Sequence, residues 1–248
     1  MNILSFFVII PLLMLGALWA ARNINQVRGV MVVGSTLLLA LSVYLTIDYL
    51  ALRQAGETAE MLYTASTSWY APLHICYSVG VDGISVAMLL LSSIIVFTGT
   101  FASWQLKPMT KEYFLWFTLL SAGVFGFFIS TDLFTMFMFY EVALIPMYLL
   151  IGVWGSGQKE YAAMKLTLML MGGSAFLLMG ILGIYFGSGA TTMNIHEIAA
   201  LNTEQSEMSI QEQIAQLYVQ ILYTQEAIKV NEKMQETADS IREYGVLV

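Results

Sequence analysis

The sequence predicts an all-α protein, a polytopic membrane bundle of six spans followed by a soluble amphipathic helix. Composition is the first reason: 58% of the 248 residues are hydrophobic and 11% are charged, and mean hydropathy is +0.73, whereas a soluble domain carries about 25% charged residues. The second reason is grouping. The apolar residues fall into six runs near the length that carries a helix across about 30 Å of hydrocarbon. The third is a change of material. Residues 1–202 hold seven Lys/Arg and nine Asp/Glu, residues 203–248 three and eight, so the acidic excess belongs to the tail.

The first span, 3–21, is ILSFFVIIPLLMLGALWAA, and its positive charges Arg22 and Arg28 follow it. A secretory leader carries its charge in front, so this run reads as a retained helix. Span 29–50 comes next. The mixed stretch 53–83 after it, with Gly, Pro, Ser, Thr and aromatic residues, reads as an interfacial loop ordered against the helices. Spans 84–104 and 112–130 are joined by QLKPMTK, where Pro108 marks a turn. Span 132–153 follows after only Ser130, Thr131 and Asp132, and the sixth span, 161–187, begins with Lys165 about one turn inside its apolar run. Lys and Arg concentrate in the odd-numbered connections, which places these on the cytoplasmic side and the N-terminus outside. Gly123, Gly126, Gly172, Gly173, Gly180 and Gly183 run through spans four and six. They are expected to let helix backbones pack closely.

The stretch with most chemistry is TDLFTMFMFYEVALIPMYLLIGVWG, residues 131–155, which holds Glu141 near the middle of an apolar helix. A charge at that depth costs about 2.5–3.5 kcal/mol on insertion scales and usually marks an interior or water-filled path. Pro146 removes a backbone donor one turn later and frees a carbonyl. Together they suggest an ion site; the alternative is a glutamate satisfied by a neighbouring helix. Lys165 is an intramembrane cation that either takes part in such a site or snorkels to the interface. Asp82 and Asp132 stand at helix starts and suit caps or ordered loops. His74, in the aromatic stretch, suits an interfacial polar contact.

Other chemistries find no footing. A single cysteine, Cys76, excludes an internal disulfide and an iron–sulfur cluster that needs several thiolates. His74 and His196 lie too far apart in sequence for a metal-ligand spacing. No phosphate-binding glycine loop follows a strand, and basic residues are too few and scattered to hold nucleic acid.

Two segments, SVGVDGISVAMLLLSSIIVFTGTFASW and DLFTMFMFYEVALIPMYLLIGVWGSGQKEYAAMKLTLMLMGGSAFLL, together with the first two spans, resemble the M-type antiporter-like membrane chains of bacterial NADH:quinone oxidoreductase, respiratory complex I. The resemblance covers about residues 1–200 and extends to Mrp-type cation/proton antiporters and hydrogenase membrane arms. It implies a longer parent of about fourteen spans in two inverted repeats, of which this chain has the beginning. It also implies that Glu141 is the fifth-helix glutamate paired with a seventh-helix lysine, which lies outside this chain, and that Lys165 is the sixth-helix lysine.

The expected function is therefore that of a proton-translocating subunit, here an N-terminal fragment unable to complete transport alone. The expected mechanism is electrostatic, with redox chemistry elsewhere shifting the proton affinity of a chain of Glu and Lys sites. NADH, FMN, iron–sulfur clusters and quinone would belong to partner subunits, with no cofactor in this chain. The partners would be other membrane-arm subunits and the lipid bilayer, with no nucleic acid, and the location a bacterial inner membrane. A piece of an Mrp or hydrogenase arm, or a non-transporting assembly and anchoring module, are the alternatives.

From Thr203 the pattern changes. Ile210, Ile214, Leu217, Ile221 and Ile228 recur at coiled-coil spacings among Gln, Glu and Lys, and Ser209 with Glu212 forms a capping box. LYVQILYTQEAIKVNE resembles the helical barrel of TolC-type outer-membrane efflux proteins. Residues 203–248 are accordingly expected to be a helical tail of foreign origin, joined near residue 202; a lineage-specific C-terminal helix is the alternative.

Overall fold

The fold comes from a computed structural model that describes residues 2–59, 61–70, 75–104, 110–187 and 193–200. His74 and the 203–248 segment lie outside these residues. Residues 1–198 form one compact unit and residues 199–248 a second; the spans and the sheet belong to the first.

The fold is all-α with one small sheet. A 3-10 turn at Ile3–Ser5 leads into α1 (Phe6–Ala20), followed by α2 (Ile24–Gln54), β1 (Leu62–Tyr70), β2 (Ile75–Val81), α3 (Gly83–Ala102), α4 (Thr110–Ile129), α5 (Leu133–Trp154) and α6 (Lys159–Gly187). Among the described residues, six helices are long and apolar enough to cross a membrane. Their residues favour this state because a helix satisfies every internal backbone group where no water can. Hydroxyls inside the spans follow the same rule: Ser93 donates to the Leu89 carbonyl at 2.8 Å, Thr100 to Val96 at 2.8 Å and Thr118 to Phe114 at 2.8 Å.

The spans follow the sequence reading with one large difference in length. The apolar pattern places span two at 29–50, but α2 runs for 31 residues, about 46 Å, and so overreaches the hydrocarbon at both ends. Arg28, which donates to the Trp104 carbonyl, stands near one of those ends and Arg53 near the other. The α1–α2 turn is fixed by Gln26, whose Oε1 accepts from the Arg22 and Asn23 amides at 3.1 and 3.3 Å. Lys111 of α4 donates to the Trp19 and Ala21 carbonyls at 3.0 and 2.7 Å, serving groups left open at the end of α1.

The stretch 53–83 is more regular than the loop expected of it, since β1 and β2 form a two-stranded antiparallel sheet. Its register pairs Ser66 with Ser78 and Ser68 with Cys76, with a shift between Leu62 and Ala65. Tyr63 lies in that shift at φ 56°, a conformation that a bulge demands and side-chain-bearing residues rarely adopt. Its hydroxyl donates to Asp48 of α2. β2 is buried and β1 largely exposed.

The apolar core lies among the first four helices and β2. Leu4, Phe7, Leu18, Met31, Leu38, Leu89, Phe114, Phe125 and Ile129 are buried in one cluster, and neither α5 nor α6 contributes to it. α5 instead packs directly on α4. A Cβ on Gly126 would lie 2.2 Å from the Phe139 ring, and one on Gly123 would lie 2.9 Å from the Ala143 Cβ. The α6 glycines depart from expectation: around Gly172, Gly173, Gly180 and Gly183 a Cβ would meet nothing within 4 Å. Only Ala163, Ser174 and Ile181 of α6 are buried, because no helix among the described residues lies on the glycine side.

Candidate functional site

The short link between α4 and α5 is the best-fastened piece of backbone in the unit. The Thr131 amide donates to the Ser78 carbonyl of β2 at 2.9 Å, the Leu133 amide to Met193 at 2.9 Å, and the Ile195 amide to Thr131 at 3.0 Å. Val79 bridges Ser130, and Asp132 bridges Asn194, in antiparallel sense. Residues 130–132 thus run as a strand between β2 and the 193–195 segment. Such pairing spares buried backbone groups from being left unsatisfied.

Asp132 is fully buried and caps α5. Its Oδ1 accepts from the Thr135 amide at 2.8 Å and its Oδ2 from the Cys76 amide at 3.3 Å, while the Thr135 hydroxyl donates to the Cys76 carbonyl at 2.9 Å. Cap and clamp tie the start of α5 to β2. Asp82 caps α3 in the same manner, accepting from the Ser85 amide at 2.7 Å. Partial burial works to raise the Asp82 carboxyl, but the Ser85 hydrogen bonds, its own backbone amide and nearby His196 outweigh it and hold it below the usual carboxylate range.

Glu141 lies about 13 Å along α5 from Asp132 at ordinary helical rise. Its Oε1 is buried and has no hydrogen-bond partner among the described residues. Pro146 is buried inside the same helix and has no amide to offer the Val142 carbonyl one residue past Glu141. A buried polar atom left open in this way costs about 1–3 kcal/mol. Lys165 does not relieve it: that side chain is on an exposed stretch of α6, with its ammonium 5.9 Å from the centre of the Tyr161 ring. The arrangement leaves a carboxyl oxygen inside an apolar helix without a hydrogen-bond donor among the described residues.

Residues 130–224 match the family described as NADH:quinone oxidoreductase/Mrp antiporter, TM. A chain of Synechocystis sp. named NAD(P)H-quinone oxidoreductase chain 4-2 is 34% identical over 131 residues, which are 53% of this chain and 23% of that one. The NADH-quinone oxidoreductase subunit M of Rhodobacter capsulatus is 34% identical over 131 residues, 53% of this chain and 25% of its own length. Over about half of its length the chain is thus similar to these M-type chains.

Solved structures share the fold. A chain of respiratory complex I from Thermus thermophilus superposes with a TM-score of 0.67 at 21% identity, covering 79% of this chain and 39% of its own. A chain of the Mrp complex from Dietzia sp. superposes at 0.62 with 23% identity, covering 80% and 39%. This chain spans about a quarter of the length of the curated relatives it matches. The family match runs past residue 202 to 224, and the resemblance of the tail to TolC-type proteins has no support in these comparisons.

Of the residues singled out from the sequence, the structure joins Asp132 to β2 and places Asp82 near His196, but it does not bring Lys165 to Glu141. Sequence reasoning missed the Thr135–Cys76 clamp and the approach of His196 to Asp82. A further group it missed is a cavity of about 450 Å³ beside the 130–132 link, lined by apolar residues such as Met61 and Val79 and by polar ones that include Ser78, Asn194, His196 and Glu197. These residues are scattered along the chain with no common period, so only the fold assembles them.

Proposed function

We propose that this chain serves as a proton-translocating membrane subunit of an NADH:quinone oxidoreductase type of complex, with Glu141 as a site of proton uptake and release. The observation that carries the reading is the buried Glu141 Oε1, which has no hydrogen-bond partner among the described residues, in the helix that also holds Pro146. A charge brought near a carboxyl group shifts its proton affinity. Lys165 is the cation of the next helix and acts as a relay or an interfacial anchor. Asp82 and Asp132 hold helix starts, Pro146 shapes the path beside Glu141, and His74 belongs to the interfacial stretch. Residues 1–202 form the membrane part, and residues 203–248 lie outside the described residues.

In this reading the partners are other membrane-arm subunits, and NADH, flavin, iron–sulfur and quinone chemistry resides in them. The membrane is a bacterial inner membrane with the N-terminus outside. A second reading, an Mrp-type cation/proton antiporter, is favoured by the family description and by the Dietzia fold.

Infrared difference spectra across a pH series, taken on wild type and Glu141→Gln, test the site. A carboxyl band that titrates in wild type and is absent from the variant is expected; identical spectra would remove Glu141 from the mechanism. In vesicles holding the assembled complex, Glu141→Gln should abolish or sharply reduce proton movement.

A further inference from the structure

The α1–α2 pair carries a surface that the Glu141 site does not use. The two helices touch where Met14 lies on Gly34, since a Cβ there would be 2.2 Å from the Met14 Sδ. Along the flank of this contact runs an apolar groove of about 550 Å³, lined among others by Leu13, Ala17, Gln26, Gly29, Val33 and Leu37. A Cβ on Gly29 would meet nothing within 4 Å, so the missing side chain adds depth. From Gln26 to Leu37 the groove follows α2 for about 16 Å. That is close to one leaflet of a hydrocarbon core about 30 Å thick.

The polar end of the groove is the α1–α2 turn, where Arg22 is exposed. Lys111 is bonded to Trp19 and Ala21 at this end of the bundle. Arg28 donates from Nη2 to the Trp104 carbonyl at 2.7 Å and stacks 4.9 Å from the Trp104 ring centre, while its Nε is buried without a hydrogen-bond partner. Arg22, Arg28 and Lys111 thus lie in or near this turn, and the described carboxylate next to them in sequence is Glu112, which adjoins Lys111. Trp19, 80% exposed, stands beside them as an interfacial aromatic does.

We propose that this groove and its basic end seat an anionic phospholipid, with one acyl chain along Gly29, Val33 and Leu37 and the phosphate at Arg22. The apolar lining suits a hydrocarbon tail of any lipid, and the excess of cations at the mouth selects a head group with net negative charge. A zwitterionic lipid has the same tail but no net charge for Arg22 to hold. A second copy of the chain would leave that positive end facing its own like charges.

Native mass spectrometry of the full chain, titrated with phosphatidylglycerol and with phosphatidylcholine of the same acyl chains, tests the assignment. Phosphatidylglycerol should bind more tightly, and Arg22→Gln should weaken it about fivefold while leaving phosphatidylcholine unchanged, as expected for one basic residue at a membrane surface. Gly29→Leu fills the groove while favouring the helix, so it should weaken both lipids, whereas Gly180→Leu on α6 should weaken neither. Equal binding of the two lipids by wild type, unchanged binding in Gly29→Leu, or a dimer in place of the lipid adduct would overturn the proposal.

Discussion

At Gly123 and Gly126, α4 lies so close to α5 that a Cβ would strike Ala143 and the Phe139 ring, whereas at Gly172, Gly173, Gly180 and Gly183 of α6 a Cβ would meet only open space. Both helices present glycines among apolar residues, and both are long enough to cross a membrane. What differs is the neighbour. A small residue permits a close approach, and a second helix has to be there to use it. The same contrast holds for large residues: Phe125 is fully buried in α4, while Phe176 of α6 is 74% exposed.

Substitutions can break or sharpen this contrast. The largest effect is expected from Phe125→Ala, which leaves a cavity in the cluster around Phe7 and should cost about 3–5 kcal/mol, read as thermal unfolding in detergent. Phe176→Ala should leave the same transition nearly in place; equal losses at the two sites would mean that α6 is packed as α4 is. Next comes Gly126→Leu, which overpacks the Phe139 contact and should cost about 1–3 kcal/mol or more. Its counterpart Gly180→Leu should gain up to about 1 kcal/mol from helix propensity.

Asp132→Ala removes the α5 cap and the contact with Cys76, for an expected loss of about 1–2 kcal/mol. Asp132→Asn, which keeps an acceptor for the Thr135 amide, should recover part of it in the same melt. The smallest effect concerns the hairpin. Burial first, and then the hydrogen bond and charge of Asp48, push the Tyr63 phenol up to about 12 from 10.0. A folded value above the unfolded one contributes stability that is complete below pH 10.0 and lost as pH rises through about 12. Stability in that alkaline window should therefore fall more in wild type than in Tyr63→Phe, as measured by unfolding at stepped pH.

The spans were legible because twenty or so apolar residues in a row have few other fates. Glu141 stands out in the sequence for a related reason, as the one carboxylate within its run, and its role remains a proposal. The hairpin was not, since Ser and Ala dilute the aromatic and β-branched residues of 62–70 and no tight two-residue turn signal separates the strands. The unused glycines of α6 were misread because composition shows which faces could be approached, and only the packed fold shows which are. The nearness of His196 to Asp82 has no local pattern to reveal it.

The link at 130–132 also bears on the order in which the protein can be made. Ser78 leaves the ribosome well before Thr131, and Ile195 well after it, yet their backbones end in one ladder. β2 must therefore wait through the synthesis of α3 and α4 with its outer edge open, and the last rung can close only after α6 has been made and the chain has returned to the same side. Contacts so distant in sequence form late because the intervening chain must first be brought together. A nascent chain halted between residues 83 and 130 should expose Cys76 to a thiol reagent more readily than the released protein does, since Thr131, Asp132 and Thr135, which bond Ser78 and Cys76, have not yet been made.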